Sequence, residues 1–453
     1  MQPLPKEFEE QMKRLLGEAG FFAYLDALNQ PYTRALRVNL LLRPDGTPPC
    51  PIEGLGAPVP WAKGAYFVEG DARPGLSPLH EGGLFYMQEP SALTAVTALD
   101  PQPGERVLDL CAAPGGKSTQ IAALMAGRGL LCCNEPIPSR AQILSRNIER
   151  MGVRNAVVLS AMPDALAPRF PAFFDRILVD APCSGEGMFR RQPEARDEWD
   201  ADAPRRCADR QMEILAQAAK MLRPGGTMVY STCTFNDTEN EGVLRRFLAL
   251  HPEFSLVPFA LPGLPEAKGG YLHLYPHEMR GEGHFVSRLK KAGEADEAGA
   301  PVQAAPQRKA PARTAAKGKA PAPIALPDVF SDAFAPERLY TAGDALWMLP
   351  EGISIERLSG LRVLRTGLLL AHAEGKRSEP DHALAMALRP EEAARTASLT
   401  QTQALAYQAG ETLSLGDLPG GYTLLCCEGV SLGWGKQAGG LMKNHYPKGL
   451  RRR

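Results

Sequence analysis

Two cysteines fifty positions apart, Cys183 in the run Asp180-Ala181-Pro182-Cys183-Ser184-Gly185-Glu186-Gly187 and Cys233 in Ser231-Thr232-Cys233-Thr234, each stand where a β-rich stretch gives out. Open parallel sheets keep their chemistry at such strand ends. A lone cysteine on a buried strand is ordinarily an inert small hydrophobe, and Cys132, Cys133, Cys426 and Cys427 read that way. Cys183 and Cys233 differ by position, since polar or glycine-rich neighbours let a thiol meet substrate and stabilise its thiolate. Asp180, three residues before Cys183, is placed as a proton donor or hydrogen-bond partner for a substrate, or as the cap of the loop that follows.

Upstream, Val107-Leu108-Asp109-Leu110-Cys111-Ala112-Ala113-Pro114-Gly115-Gly116-Lys117-Ser118-Thr119 reads as a buried strand, a glycine turn and a helix start. The glycine pair removes side chains, lets backbone N–H groups approach a ligand, and opens a helix whose N-terminus favours electron-rich groups. A tight turn with no ligand would use the same residues. Glu135, at the end of the next strand, tips the balance, because nucleotide-binding α/β folds keep the acidic partner of ribose hydroxyls there. The turn is not Gly-x-Gly-x-x-Gly, and no Gly-x-x-x-x-Gly-Lys-Ser/Thr loop exists, so S-adenosylmethionine is a better candidate than NAD or ATP.

These residues need an α/β domain to position them. From about residue 84 to 290 short apolar runs (Val107 to Leu110, Gly129 to Asn134, Ala156 to Leu159, Asp175 to Asp180, Thr227 to Ser231) alternate with helical segments such as 137 to 151 and 209 to 222, the pattern of buried parallel strands. Arg223-Pro224-Gly225-Gly226 ends the last helix and turns the chain back into a strand. Before this domain, residues 7 to 28 carry apolar positions at helical spacing, and Leu36, Val38, Leu40 and Leu42 alternate as a half-buried strand does, so a small α+β unit is expected. Residues 44 to 78 read as a turn-rich connection with a short strand at Ala65-Tyr66-Phe67-Val68.

At 453 residues the chain holds two to four domains of ordinary size. Lysine plus arginine balance aspartate plus glutamate, 51 against 51, so net charge points to no polyanion and distribution must carry that argument. Nine cysteines without a leader-like start, without Cys-x-x-Cys spacing and without a histidine cluster argue for reduced thiols in the cytoplasm and against a disulfide framework or a bound metal. No apolar run reaches ~18 residues, so no membrane span is expected. Ala292 to Ala325 is mostly alanine, proline, lysine, arginine, glycine and glutamine and reads as a flexible linker, with a basic arm of Arg308, Lys309, Arg313, Lys317 and Lys319 as the alternative. After it come glycine-punctuated short strands, one or two mainly β modules. From Gly429 onward no residue is acidic, while Lys436, Lys443, Lys448, Arg451, Arg452 and Arg453 interleave with Trp434, His445 and Tyr446, as an RNA surface with stacking rings would.

Taken in order, Asp109 to Lys117, Asp180 to Gly187, and Tyr230-Ser231-Thr232-Cys233-Thr234-Phe235 with Glu239-Asn240-Glu241 resemble the motifs of the Nop/Sun family of RNA cytosine-5 methyltransferases. Arg37-Val38-Asn39 and Gln88-Glu89-Pro90-Ser91 are similar to it as well, and the region from Gly433-Trp434-Gly435-Lys436 to Tyr446-Pro447 resembles its RsmF-type branch, which methylates small-subunit (16S) ribosomal RNA. The resemblance implies a Rossmann-like methyltransferase, α/β in class, with an N-terminal α+β RNA-binding unit (1–75), a catalytic domain (76–291), the linker (292–325), a first C-terminal module (326–390) and a PUA-like RNA-binding module (391–453). It also implies that Cys233 adds to C6 of cytosine, that Cys183 assists loss of the C5 proton and release of the enzyme, and that Asp180 holds or protonates N3. For S-adenosylmethionine it implies Cys111, Ala112, Ala113, Pro114, Gly115, Gly116 and Lys117 around the methionine part, Glu135 on the ribose and Asp180 near the sulfonium. The adenine contact stays open between Ser160 and Asp164, and Arg140 is either a family arginine or a surface ion pair. Within the same chemistry the alternative substrate is tRNA; from another class, the alternative is a non-catalytic RNA-binding ribosome assembly factor.

Overall fold

The computed structural model describes residues 3–294, 324, 329, 338–374 and 377–452. An N-terminal helix α1 (Lys6–Leu28), interrupted at Gly17 where φ is +69°, precedes strands β1 (Arg34–Val38), β2 (Leu55–Pro58), β3 (Ala65–Val68) and β4 (Phe85–Gln88). These four strands form one antiparallel sheet in the order β2-β3-β1-β4. The sheet thus runs past residue 75, because β4 pairs with β1. β1 is not half-buried as its alternation suggested: Ala35, Leu36, Arg37 and Val38 are all buried, since one face packs on the catalytic domain and the other on the C-terminal module.

The central sheet contains β5 (Arg106–Asp109), β6 (Leu130–Asn134), β7 (Ala156–Leu159), β8 (Phe174–Asp180), β9 (Leu222–Thr232), β10 (Phe254–Leu256), β11 (Tyr271–Leu274) and β12 (His284–Lys291). Its order is β10-β12-β9-β8-β5-β6-β7, with β11 beside β12. β5 to β9 are parallel and β12 is antiparallel to β9. The chain winds outward from β5 through β6 to β7, then returns to β8 and β9 on the other side. The crevice where the order reverses lies between β5 and β8.

Both faces are covered. Val107, Leu131, Val158, Leu178 and Val229 pack on one side with Ile121, Leu144 and Ile148, while Leu108, Cys132, Val157, Ile177 and Met228 pack on the other with Leu215, Ala218 and Phe247. Double coverage explains why the strands read as continuous apolar runs. Arg223-Pro224-Gly225-Gly226 forms no separate turn; β9 already starts at Leu222, and the extra residues bulge where the β8 register shifts between Phe174 and Arg176.

Beyond residue 337, β13 (Leu339–Ala342), β14 (Ala345–Met348), β16 (Leu368–Glu374) and β17 (Arg377–Pro380) form an antiparallel sheet, and β18 (Thr396–Ser398), β19 (Gly421–Cys427), β20 (Val430–Ala438) and β21 (Leu441–Asn444) form a mixed one in which β18 runs parallel to β19. The intervening strand β15 (Val363–Arg365) leaves its own module and pairs antiparallel with β7, extending the catalytic sheet. The expected linker lies outside the described residues except for 292–294 and Ile324, and Ile324 packs against the core around Leu370, Leu424 and Trp434. The stacking-ring expectation for the basic end is corrected here. Trp434 is buried and donates its indole N–H to the Asp381 carbonyl and Tyr446 is buried, so these two rings build the core, while the half-buried His445 meets Glu379 at 3.0 Å. Lys443 and Lys448 remain exposed.

Asn39 joins the N-terminal sheet to the catalytic domain: its buried amide donates at 3.0 Å to the carbonyls of Gly83 and Met151. Asn39→Ala removes the partner of two buried carbonyls and is expected to lower unfolding stability by about 2 kcal/mol, read as a reduced urea midpoint with unchanged slope.

Candidate active site

β8 and β9 pair in parallel with Asp180 opposite Ser231, and both chains leave the sheet at that level. The Cys183 and Cys233 sulfurs consequently lie 3.2 Å apart, and the Cys233 backbone N–H donates to the Cys183 sulfur at 3.3 Å. A covalent bridge would need about 2.05 Å, and all nine cysteines are free thiols. The hydrogen bond to Cys233, with burial second, pushes the Cys183 thiol well above its ordinary range, so that one proton of the pair resides on Cys183.

Two buried glutamates hold the cysteine loops together. Glu239 accepts from the Ser184 backbone N–H (3.0 Å), the Ser184 hydroxyl, the Asn236 amide (2.8 Å) and the Gln211 amide (2.8 Å). Glu186 accepts from the backbone N–H groups of Phe235 (2.8 Å) and Asn236 (3.0 Å), the Asn236 amide, and Gln11 of α1. α1 props both loops, since Phe8, Met12, Phe21 and Tyr24 pack with Phe189, Trp199, Phe235 and Tyr275. Neither glutamate was assigned a role from sequence, although both stand inside the quoted motifs.

Asp180 meets Lys117 Nζ at 2.7 Å through Oδ2, accepts the Ser231 hydroxyl at 2.8 Å on Oδ1, and has His284 Nε2 3.6 Å from Oδ1. Burial pushes its carboxyl up, but the Lys117 ammonium and the hydrogen bonds from Lys117 and Ser231 outweigh burial and hold it below the usual carboxylate range. It is therefore an ionised acceptor. His284 is buried, with Nε2 lacking a hydrogen-bond partner, and burial with Lys117 nearby lowers its pKa to about 3. Nothing in the sequence singled out His284; it arrives from β12, the antiparallel neighbour of β9.

The glycine turn shapes the wall beside Asp180. Gly115 has φ +115°, and a Cβ there would meet Leu144 at 3.2 Å and Asn147 at 3.4 Å, so it serves backbone geometry and close helix packing and does not line the cavity. A Cβ on Gly116 would press on Tyr86 at 3.2 Å. Arg37 fixes this turn from behind, donating to Thr119 Oγ1 at 2.8 Å and the Gly116 carbonyl at 3.2 Å. A cavity of about 180 Å³ opens here, lined by Tyr86, Gln88, Cys111, Ala112, Ala113, Pro114, Lys117, Asp180 and Arg191 among others. Burial pushes the Cys111 thiol well above its ordinary range, which leaves Cys111 a wall residue. Asp109 is buried with Oδ1 unpartnered and Oδ2 accepting from Ser118 at 2.6 Å, and burial raises its pKa to about 7.

Glu135 is buried at the end of β6, where Oε1 accepts the Ile137 N–H at 3.0 Å. Arg140 does more than pair on the surface: it lies 3.4 Å from Glu135 Oε2 and donates to the Ala113 carbonyl at 3.2 Å, bridging the acidic residue and the glycine turn. Ser160 spends its hydroxyl on the Pro136 carbonyl at 3.3 Å, whereas Asp164 is exposed. The donor set fits S-adenosylmethionine: a glycine turn opening a helix, a buried acid after the second strand and an orphaned carboxylate oxygen on Asp109.

A switch-point sheet with this nucleoside site beside two facing thiols defines an S-adenosylmethionine-dependent RNA methyltransferase. The chain belongs to the 16S rRNA methyltransferase RsmB/F family, whose sequence profile matches residues 96–290. RsmF-specific profiles match the N-terminal domain (4–90), the first C-terminal domain (327–388) and the PUA domain (394–452). The Ribosomal RNA small subunit methyltransferase F of Enterobacter sp. (strain 638) is 35% identical, over 98% of this chain and 95% of its own; that of Erwinia tasmaniensis is 34% identical, over 98% and 96%. Among solved structures, a methyltransferase homolog from Pyrococcus horikoshii superposes with a TM-score of 0.54 at 30% identity, over 63% of this chain and 95% of that one. NSun6 from the same organism shares the fold, with a TM-score of 0.55 at 22% identity over 64% and 99%. Among the described residues no helix is long and apolar enough to cross a membrane.

His284 makes stability pH-dependent. Its folded pKa of about 3 lies below the ordinary 6.5, so the unfolded chain takes up a proton that the folded chain refuses, and stability falls as pH drops below about 6.5. Between pH 7 and 5 this costs roughly 2 kcal/mol. His284→Gln is expected to lose that part of the acid dependence in urea melts at the two pH values.

Proposed function

We propose that this protein methylates C5 of a cytosine in small-subunit ribosomal RNA in the cytoplasm, with Cys233 as nucleophile. The carrying observation is the 3.2 Å sulfur pair beside the Lys117–Asp180 ion pair in one crevice. C5 of cytosine is a weak nucleophile, and addition of a thiolate to C6 converts the ring to an enamine whose C5 attacks an electrophile. Bound S-adenosylmethionine supplies the electrophilic methyl group. Cys111 to Pro114, Gly116, Lys117 and Glu135 hold its methionine and ribose parts, with Gly115 shaping the turn behind them, and Asp164, exposed where Ser160 is engaged, is the adenine contact.

As C6 is attacked, N3 takes up a proton from solvent and returns it on elimination; Asp180, ionised by Lys117, accepts a hydrogen bond from that N3–H and holds the ring in place. Cys183 keeps its proton, held by its hydrogen bond to Cys233, until Cys233 attacks as the thiolate. Once the Cys233 sulfur is bonded to C6 it no longer carries the charge that held the Cys183 proton, so Cys183 releases that proton to solvent and, as thiolate, takes the C5 proton. Loss of that proton drives β-elimination of Cys233 and frees the methylated base. The target base must leave its stack, at a cost of a few kcal/mol. Residues 1–75 and the modules at 326–390 and 391–453 grip the flanking RNA and offset it.

Cys233→Ala is expected to abolish methylation while leaving cofactor affinity intact, and Cys183→Ala to accumulate a covalent protein–RNA adduct visible as a denaturation-resistant band shift. Bisulfite sequencing of total rRNA and tRNA from cells with and without the gene reads the target. Loss of one 5-methylcytosine in small-subunit rRNA is the expected result; loss only in tRNA moves the substrate; no loss in either favours an assembly factor.

A further inference from the structure

The charges around the cavity are matched with one exception. Lys117 is held by Asp180 at 2.7 Å. The Glu89 carboxylate accepts from the backbone N–H groups of Ser91 (2.9 Å), Ala92 (2.8 Å) and Glu282 (2.8 Å). Arg191, exposed at the cavity's edge, has no hydrogen-bond or ion-pair partner among the described residues.

The backbone under Arg191 is pinned. Arg190 turns inward onto Glu282 at 2.7 Å and the Ala27 carbonyl at 2.7 Å, and Phe189 packs against Phe8 with ring centres 4.9 Å apart. Gln192 N–H donates to the Met188 carbonyl at 2.7 Å. Adjacent arginines on a rigid turn thus divide the work: one locks the turn to α1 and the 282 loop, the other stands free. Arg191 lines the cavity together with Tyr86, Lys117 and Asp180.

We propose that Arg191 grips a phosphodiester of the RNA strand beside the flipped cytosine. This rests on the RNA methyltransferase reading. A planar guanidinium with no internal partner suits a phosphate, which it binds through two parallel N–H donors. Two anions come to this crevice, the RNA backbone and the carboxylate of the cofactor. Arg191 lies on the loop that follows Cys183, on the substrate side, and is exposed where a strand must pass; the glycine turn forms the other wall. Phosphate contacts of this kind set register without reading sequence.

The test compares wild type, Arg191→Ala and Arg191→Lys on small-subunit rRNA. Arg191→Ala is expected to raise KM for RNA about tenfold with kcat within about twofold, to lower the salt slope of RNA binding by about 0.7 to 0.9, and to leave the S-adenosylhomocysteine dissociation constant unchanged by calorimetry. Arg191→Lys recovers the salt slope and part of KM. A weakened S-adenosylhomocysteine complex with unchanged RNA KM reassigns Arg191 to the cofactor carboxylate and overturns the proposal, as does an unaltered RNA KM and salt slope, or a fall in kcat alone. A wild-type protein that methylates no RNA instead defeats the methyltransferase reading; the salt slope, read by filter binding without turnover, still judges Arg191.

Discussion

β8 and β9 leave the central sheet side by side, and the 3.2 Å between the Cys183 and Cys233 sulfurs follows from that pairing. Parallel neighbours are about 4.8 Å apart, so two loops emerging at one level bring their side chains within contact only if both turn toward each other. Glu239 and Glu186 enforce this by drawing Ser184, Asn236 and the backbone of Phe235 onto shared carboxylates. Burying carboxylates is costly unless their oxygens are satisfied. Here each accepts several donors, so the cost is offset and the loops are left with little freedom.

The same economy of charge governs the crevice. Asp180 stays ionised because the Lys117 ammonium and the Ser231 hydroxyl face it, and His284 stays neutral because it is buried near Lys117. A second permanent cation in place of that imidazole would leave the Lys117–Asp180 pair with an unmatched charge far from water. A neutral ring instead fills the position opposite Asp180 without disturbing the pair.

The strand and helix pattern from residue 107 to 232 was legible because doubly covered parallel strands write continuous apolar runs and their helices write a 3.6-residue period. The two cysteines, Asp180, Glu135 and the glycine turn were legible because they sit in linear motifs at strand ends. What sequence hid was tertiary. His284 comes from a strand that joins the sheet antiparallel after a long excursion, Arg191 looks like any surface arginine until Arg190 is seen turning the other way, and Gly115 looks like a ligand-contact glycine until Leu144 is found against it. The aromatic residues near the C-terminus misled for a related reason. Trp434 and Tyr446 neighbour basic residues in sequence, but Trp434 lies on β20, which is buried almost throughout, and Tyr446 is buried just after β21, while Lys443 and Lys448 reach solvent.

The modules flanking the catalytic domain are integral to it. β15 completes the exposed edge of β7, Ser160 N–H donates to the Arg362 carbonyl at 2.9 Å, Arg365 pairs with Glu149, and Arg357 lies 4.3 Å above the Phe173 ring. An open edge strand is a site for unwanted pairing, and here a strand from the C-terminal half closes it at the carboxyl end of β7, opposite Val158 and Leu159. At the opposite side α1 packs on the loops that carry the cysteines. The flanking elements are thereby packed against both ends of the crevice, α1 on the cysteine loops and β15 on the edge strand β7.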